Sequence, residues 1–293
     1  MIALEVQPAL AAVLRYAWAA LGATLFELAL LLGPALVLAA ALHALGDFVT
    51  RHTTRHLGGA AYALFGWPGT VVHELGHAVF CLLFGHRITG MKLFDFAPRD
   101  GTRGHVAHTF DPTNPWQQIG NFFIGVGPIL FGTMAIVAAA RWLLGPSAFD
   151  PLAAPLPASG AVRTVGDALV LAWHVAGGAL ASLGTLLEPS RWSDWRTWLF
   201  LYLAFAVGGS ISLSGADLKG ALAGFGALVL AVLVLNLATL WIGDVPGMTV
   251  ALLARWLAVG WTAMLFALLV NLLAALIVLP ISALVGLLTG RSG

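Results

Sequence analysis

A succession of apolar stretches, each about as long as a bilayer's hydrocarbon core is thick, constrains this 293-residue chain more than any other feature. A helix needs about 20 predominantly apolar residues to cross a bilayer. Windows of that kind run from about Trp18 to Leu45, Gly58 to Phe84, Ile119 to Leu144, Val165 to Leu187, Gly220 to Ile242 and Met248 to Leu279. A shorter one runs from Trp198 to Leu213. Trp18, Trp67, Trp116, Trp142, Trp198 and Trp241 stand near the window ends, where an aromatic belt belongs. The expected fold is an all-α polytopic membrane protein, one domain over residues 1–293 with six or seven transmembrane helices. The last window needs tilt or a break, and Pro280 is expected to close it. The first is too long for a cleaved secretory signal and reads as a retained span.

Composition agrees. Hydrophobic residues make up 60% of the chain and charged ones 9%, against about 25% charged in soluble domains. A formal net charge of +1 excludes a nucleic-acid binder, which must neutralise a run of phosphates. The single cysteine, Cys81, excludes an internal disulfide and a Cys-rich zinc site. Arginine supplies every basic residue except Lys92 and Lys219. With the abundant Ala and Gly, this suggests a GC-rich bacterial genome and so a plasma (inner) membrane. The basic residues divide almost evenly between the two sides of a seven-span arrangement and set no orientation.

Two connections are polar. Residues from about Arg87 to Gln118 hold short apolar-rich runs on either side of Asp100-Gly101, and read as a β-hairpin over about 87–112. Leu144 to Thr164 carries Pro146, Pro151, Pro155 and Pro157 and reads as an irregular or mobile loop.

The chemistry lies in the second window, at His73-Glu74-Leu75-Gly76-His77. Helical positions four apart share a face, so both imidazoles can reach one zinc ion. Glu74 lies beside that face and can take a proton from water activated there. Ionisable groups in hydrocarbon are unfavourable unless partnered, which makes this trio a functional suspect.

Two imidazoles leave zinc one protein ligand short of a hydrolytic site. Cys81 continues the stripe but lies about 12 Å along the axis from His73, too far for a shared ion. It reads as apolar filler. His86 is outside the motif spacing. Asp217 is the better candidate, in the Gly/Ser-rich interruption from Ser212 to Gly220. Broken backbone at membrane depth is tolerated where protein or a water-filled cavity receives it. A carboxylate there can face the zinc, or it can simply complement a helix N-terminus. Elsewhere, His105 and His108 read as solvent-facing on opposite sides of a strand. His174, Asn236 and Asn271 read as interhelical hydrogen-bonding groups. Asn121 is either such glue or a group that holds the substrate backbone.

With these residues, the chain resembles the site-2 protease class of intramembrane metalloproteases, peptidase family M50. The resemblance rests on the His73–His77 motif in an apolar helix, Gly127-Pro128 in the third window and Asp217 at the start of a later one. It covers a catalytic core of about 58–225. It implies a helical bundle in which His73, His77 and Asp217 hold Zn2+ and Glu74 is the catalytic acid/base. Asn121, Gly127 and Pro128 would contact the substrate. The hairpin would correspond to an edge strand that pairs with an unwound substrate segment. The implied partner is a membrane protein with a transmembrane helix, met in the lipid bilayer. Ile129, Leu130 and Phe131 follow Gly-Pro where the family usually has an Asn nearby, and Ser214-Gly-Ala precedes the aspartate in place of the family's usual Asn-Pro or Leu. The competing reading is a non-proteolytic transporter or scaffold with a metal- or proton-handling site. An inverted-repeat transporter would show matching broken helices in two halves, and only the interruption near Asp217 is seen.

Overall fold

The structure is a computed structural model that describes residues 2–96, 98, 102–146, 164–243 and 245–289. Among them are seven α-helices and one two-stranded sheet. In chain order these are α1 (Ile2–Leu57), α2 (Gly59–Leu83), β1 (Arg87–Lys92), β2 (His105–Thr109), α3 (Pro115–Leu143) and α4 (Val165–Leu186). A 3-10 turn (Pro189–Arg191), α5 (Trp195–Gly208), α6 (Gly215–Thr239) and α7 (Val245–Leu288) follow. Five of the helices, α1, α3, α4, α6 and α7, are long and apolar enough to cross a membrane. That is compatible with a multi-pass integral membrane protein. The 14-residue α5 and the motif-bearing α2 are not among the five.

Local sequence explains where the helices begin. The Asn114 side chain caps α3 by accepting from the Trp116 and Gln117 amides, with Pro115 at the first helical position. Thr164 with Asp167, and Ser214 with Asp217, form capping boxes at α4 and α6. At the end of α2, Gly85 adopts φ 71°, the left-handed conformation that favours glycine. Its amide donates to Leu82 O, and that of His86 donates to Cys81 O. This closure stops the helix and turns the chain into β1.

The two longest helices lie against each other. At 56 residues α1 is about 84 Å long, and α7 at 44 residues about 66 Å. The window that predicts a helix over 18–45 is thus the middle of a much longer one. Pro280 does not close α7, which continues to Leu288. Proline removes one backbone hydrogen bond, and apolar packing on both sides keeps the helix running. Here His52 Nε2–H donates to Leu279 O at 3.2 Å, and Gly286 lies directly against His56. The central core is built from α1, α3, α4, α5 and α7. It includes Leu42, Ile129, Ile136, Ala179, Phe200 and Phe266, with the two phenyl rings stacked 5.9 Å apart.

The expected hairpin is present as an antiparallel pair, with a register shift between Ile88 and Gly90. Its connection spans residues 93–104, and Asp100-Gly101 lies outside the described residues. So does most of the proline-bearing connection, residues 147–163. His174 is exposed and bonds Val170 O of its own helix at 2.7 Å, not a neighbouring one. Cys81 is buried completely, as apolar filler should be.

The asparagines do join helices. Asn271 on α7 donates to Ala204 O on α5 as well as to Ala267 O. Asn236 on α6 donates to Thr24 Oγ1 and Glu27 Oε2 on α1, both at 3.0 Å. Asn236→Ala leaves the Glu27 carboxyl without that donor, and the expected destabilisation is about 1–3 kcal/mol. Replacing both partners, as Asn236→Leu with Glu27→Leu, should recover most of it. Unfolding of the purified variants in mixed micelles against denaturing detergent checks both.

Candidate metal centre

The motif helix presents His73 and His77 one turn apart, and the segment after α5 delivers the third group. Helix α5 ends at Gly208. The backbone then runs irregularly to Ser214 before α6 begins. Asp217 stands in the first turn of α6, its Oδ2 accepting from the Ser214 amide at 2.7 Å. The Ser214 hydroxyl accepts in return from the Asp217 amide at 3.1 Å. The two readings of Asp217 are compatible, because the carboxylate that caps α6 also faces the imidazoles. Asp217 Oδ1 lies 3.1 Å from His77 Nε2, and Oδ2 lies 3.5 Å from His73 Nε2. The two Nε2 atoms are 3.3 Å apart.

Those separations can be tested against a metal. Four ligands placed tetrahedrally at about 2.0–2.1 Å from zinc are about 3.3 Å from one another. The two imidazole nitrogens stand at that separation, and one carboxylate oxygen of Asp217 lies close to each of them, so His73, His77 and Asp217 could together hold a metal ion. Both imidazoles are oriented by backbone. His73 Nδ1–H donates to Ser210 O at 3.0 Å, and His77 Nδ1–H to Ile124 O at 2.8 Å. Each ring is thereby fixed in the tautomer that leaves Nε2 bare, as metal-binding histidines require. These carbonyls, on α3 and in the broken segment, are parts of the site that the motif alone does not reveal.

The approach of the helices depends on glycine. A Cβ on Gly76, inside the motif, would lie 2.9 Å from both the carbonyl carbon and the oxygen of Gly127. A Cβ on Gly125, two residues before Gly127 on α3, would meet Asp217 O and the Ala221 amide in the same way, at 2.6 and 2.7 Å. Gly127 and buried Pro128 therefore sit at the α2–α3 crossing. Neither they nor Asn121, also buried on α3, line the cavity at the site.

That cavity has a volume of about 480 Å³ and a largely polar wall. His73, Glu74 and Thr70 come from α2, Thr50 and Thr54 from α1, Ser210 and Ser212 from the broken segment. Arg103 and Gly104 come from the hairpin connection. Glu74 is only 7% exposed, and the hairpin covers it. A Cβ on Gly104 would fall 2.7 Å from Glu74 Cγ and 2.9 Å from its Oε1.

A second histidine contact ties the hairpin down. His86 Nε2–H donates to Gln117 O at 2.8 Å, and His86 Nδ1 meets His108 Nδ1 at 3.0 Å. His108 is half-buried and not solvent-facing, whereas His105 on the opposite side of β2 is exposed. Burial, and the His86 ring beside it, hold His108 below the ordinary histidine range. No family model matches the chain, and no match is found among curated proteins or solved structures.

Metal analysis of the purified protein is the direct check. The wild type is expected to carry close to one zinc per chain, and His73→Ala, His77→Ala and Asp217→Ala to lose it. Retention of zinc by Asp217→Ala would remove the carboxylate from the ligand set.

Proposed function

We propose that this chain is a multi-pass membrane protein and a zinc-dependent endopeptidase of the site-2 protease kind, hydrolysing a peptide bond in or near a transmembrane segment of another membrane protein. One observation carries the reading. Asp217, distant in sequence from the motif, meets both of its imidazoles, and His73 of that cluster lines a polar cavity together with Glu74. Such a donor set has three protein ligands and an open position, as catalytic zinc sites do and closed structural sites do not.

His73, His77 and Asp217 would hold the ion, which when bound supplies Lewis acidity to a carbonyl and acidifies water. Glu74 accepts the proton of the attacking water and delivers it to the departing amine, so one carboxyl serves as base and then as acid. Its cover by Gly104 keeps it aimed into the cavity. A helical segment hides its carbonyls in hydrogen bonds, so the substrate must unwind before attack. Among the described residues β1 is paired on one side only, by β2, and its open edge offers hydrogen bonds to an unwound strand. The abundance of Thr and Ser around the site supports access of water to a cleft otherwise walled by apolar helices.

Glu74→Gln is expected to abolish cleavage of a membrane-segment substrate while zinc remains bound at the wild-type level. Proteolysis at an undiminished rate in that variant would reject the assigned role. Gly104→Ala must displace the Glu74 side chain, and a misplacement on the order of 1 Å typically lowers turnover about 100-fold. The loss should fall on kcat with metal content unchanged, which paired turnover and metal measurements would show.

A further inference from the structure

A second cavity of about 330 Å³ adjoins the polar one. Its walls are apolar: Val49 of α1, Phe65 of α2, Leu201 and Phe205 of α5, and Ala274 and Val278 of α7. Thr50, Gly209 and Ser210 line both cavities, so the two share a wall. Ser210 is also the residue whose carbonyl holds His73. We propose that this apolar pocket is the specificity pocket of the site, taking a large apolar side chain of the substrate segment next to the bond that is cut. The proposal rests on the endopeptidase reading and names what that site selects.

Continuity and chemistry decide the occupant. In an extended strand successive side chains point to opposite faces, and neighbouring Cα atoms are about 3.8 Å apart. A peptide whose carbonyl is presented to the His73 face of the polar cavity therefore carries a flanking side chain past the Gly209–Ser210 wall. Gly209 has no side chain, and Gly46 of α1 packs against its carbonyl, so the shared wall is built there from backbone and the Thr50 side chain alone. The volume is at the small end of the ~300–1,000 Å³ typical of ligand pockets. The wall is mostly apolar, with Thr53, Tyr202 and Asn271 among its few polar side chains and no charged one; it accepts phenylalanine or leucine and offers a charged side chain no opposite charge. A transmembrane segment is where such side chains are most available.

The test uses synthetic transmembrane peptides with a fluorophore and quencher flanking a central stretch, in which one residue at a time is Ala, Leu or Phe. For the wild type, kcat/KM is expected to be about 10-fold or more higher for Phe than for Ala at one position beside the cut, the scale of discrimination that an apolar pocket supplies. Ala274→Phe fills the pocket from the α7 wall. It should bring that ratio close to one, the larger loss of kcat/KM falling on the Phe peptide. Val278→Phe, one turn further along α7, is the second filling should the first variant not fold. In Glu74→Gln, a benzophenone at the same peptide position should label the pocket wall, and the filling substitution should abolish the labelling. Cleavage with an unchanged Phe preference in both filled variants, or labelling confined to other helices, overturns the pocket and leaves the peptidase standing. Labelling of the pocket with no peptide cut by the wild type sinks the peptidase reading and keeps the pocket as a site for apolar side chains. Loss of bound phospholipid from the filled variants, with peptide preference intact, makes it a lipid site and also overturns the proposal.

Discussion

The spacing between His77 and Asp217 is set by α3, the helix that lies between α2 and α6. Gly127 meets Gly76 of α2 backbone to backbone, and Gly125 meets the first turn of α6. Gly224, two turns along α6, packs directly against the Phe122 amide of the same middle helix. Three helices joined through glycine faces approach more closely than side chains would allow. Ile124 O then reaches His77 Nδ1, while Asp217 reaches both Nε2 atoms. A methyl group at either Gly76 or Gly127 would move α2 away from α3 and change all these distances together. The Gly127-Pro128 dipeptide thus acts on the site by setting the bundle's spacing, without touching the cavity.

Much of this was legible in the sequence, for physical reasons. The His73–His77 spacing is local, and helical geometry converts it directly into a shared face. Asp217 stood out because a Gly/Ser interruption in an apolar run demands a receiving environment, and the segment before it lines the polar cavity. The seven windows and the hairpin correspond to seven helices and a two-stranded sheet. The pairings that turn these parts into a site were hidden. Ser210 O meets His73 across 137 positions and Ile124 O meets His77 across 47, and carbonyls carry no residue signature. His108 looked solvent-facing because alternation on a strand is blind to what packs on each face. His86 supplied that partner from beyond the end of α2. Pro280 misled because a proline's local penalty is a single hydrogen bond, which long packing against α1 outweighs.

Polar groups in a chain this apolar are concentrated and mostly answered. Asn236 bridges Thr24 and Glu27 between α6 and α1, and Thr24 itself donates to Ala20 O. Asn271 links α7 to α5 beside the apolar pocket. The two asparagines each join a shorter helix next to the site, α6 or α5, to one of the two longest helices. Hydrogen bonds between helices are individually modest, of order 1 kcal/mol. Their value here is directional. Apolar packing lets helices slide and rotate at little cost, whereas an amide between two acceptors fixes one register. That matters for α6, whose first turn must present Asp217 to within a few tenths of an ångström.

The same segment would meet two opposed requirements of the proposed hydrolysis among apolar helices. Water and proton transfer need polar walls, while an apolar substrate needs walls without unpaired polar groups. Past Ile211 the chain gives up helical hydrogen bonding until α6 begins; Ser210 O meets His73, and Ser210 and Ser212 line the polar cavity. On the other side the end of α5 presents Leu201 and Phe205. Because Thr50, Gly209 and Ser210 belong to both walls, the boundary between polar and apolar surface runs beside the His73 ring that Ser210 O orients. In the proposed reaction a peptide drawn across that boundary would have its backbone carbonyl on the polar side, open to attack, and its side chain held on the apolar side. Separating the two cavities by a turn of helix would place holding and attack too far apart to act on neighbouring atoms, so the break in α5–α6 is as much a part of the proposed chemistry as the ligands are.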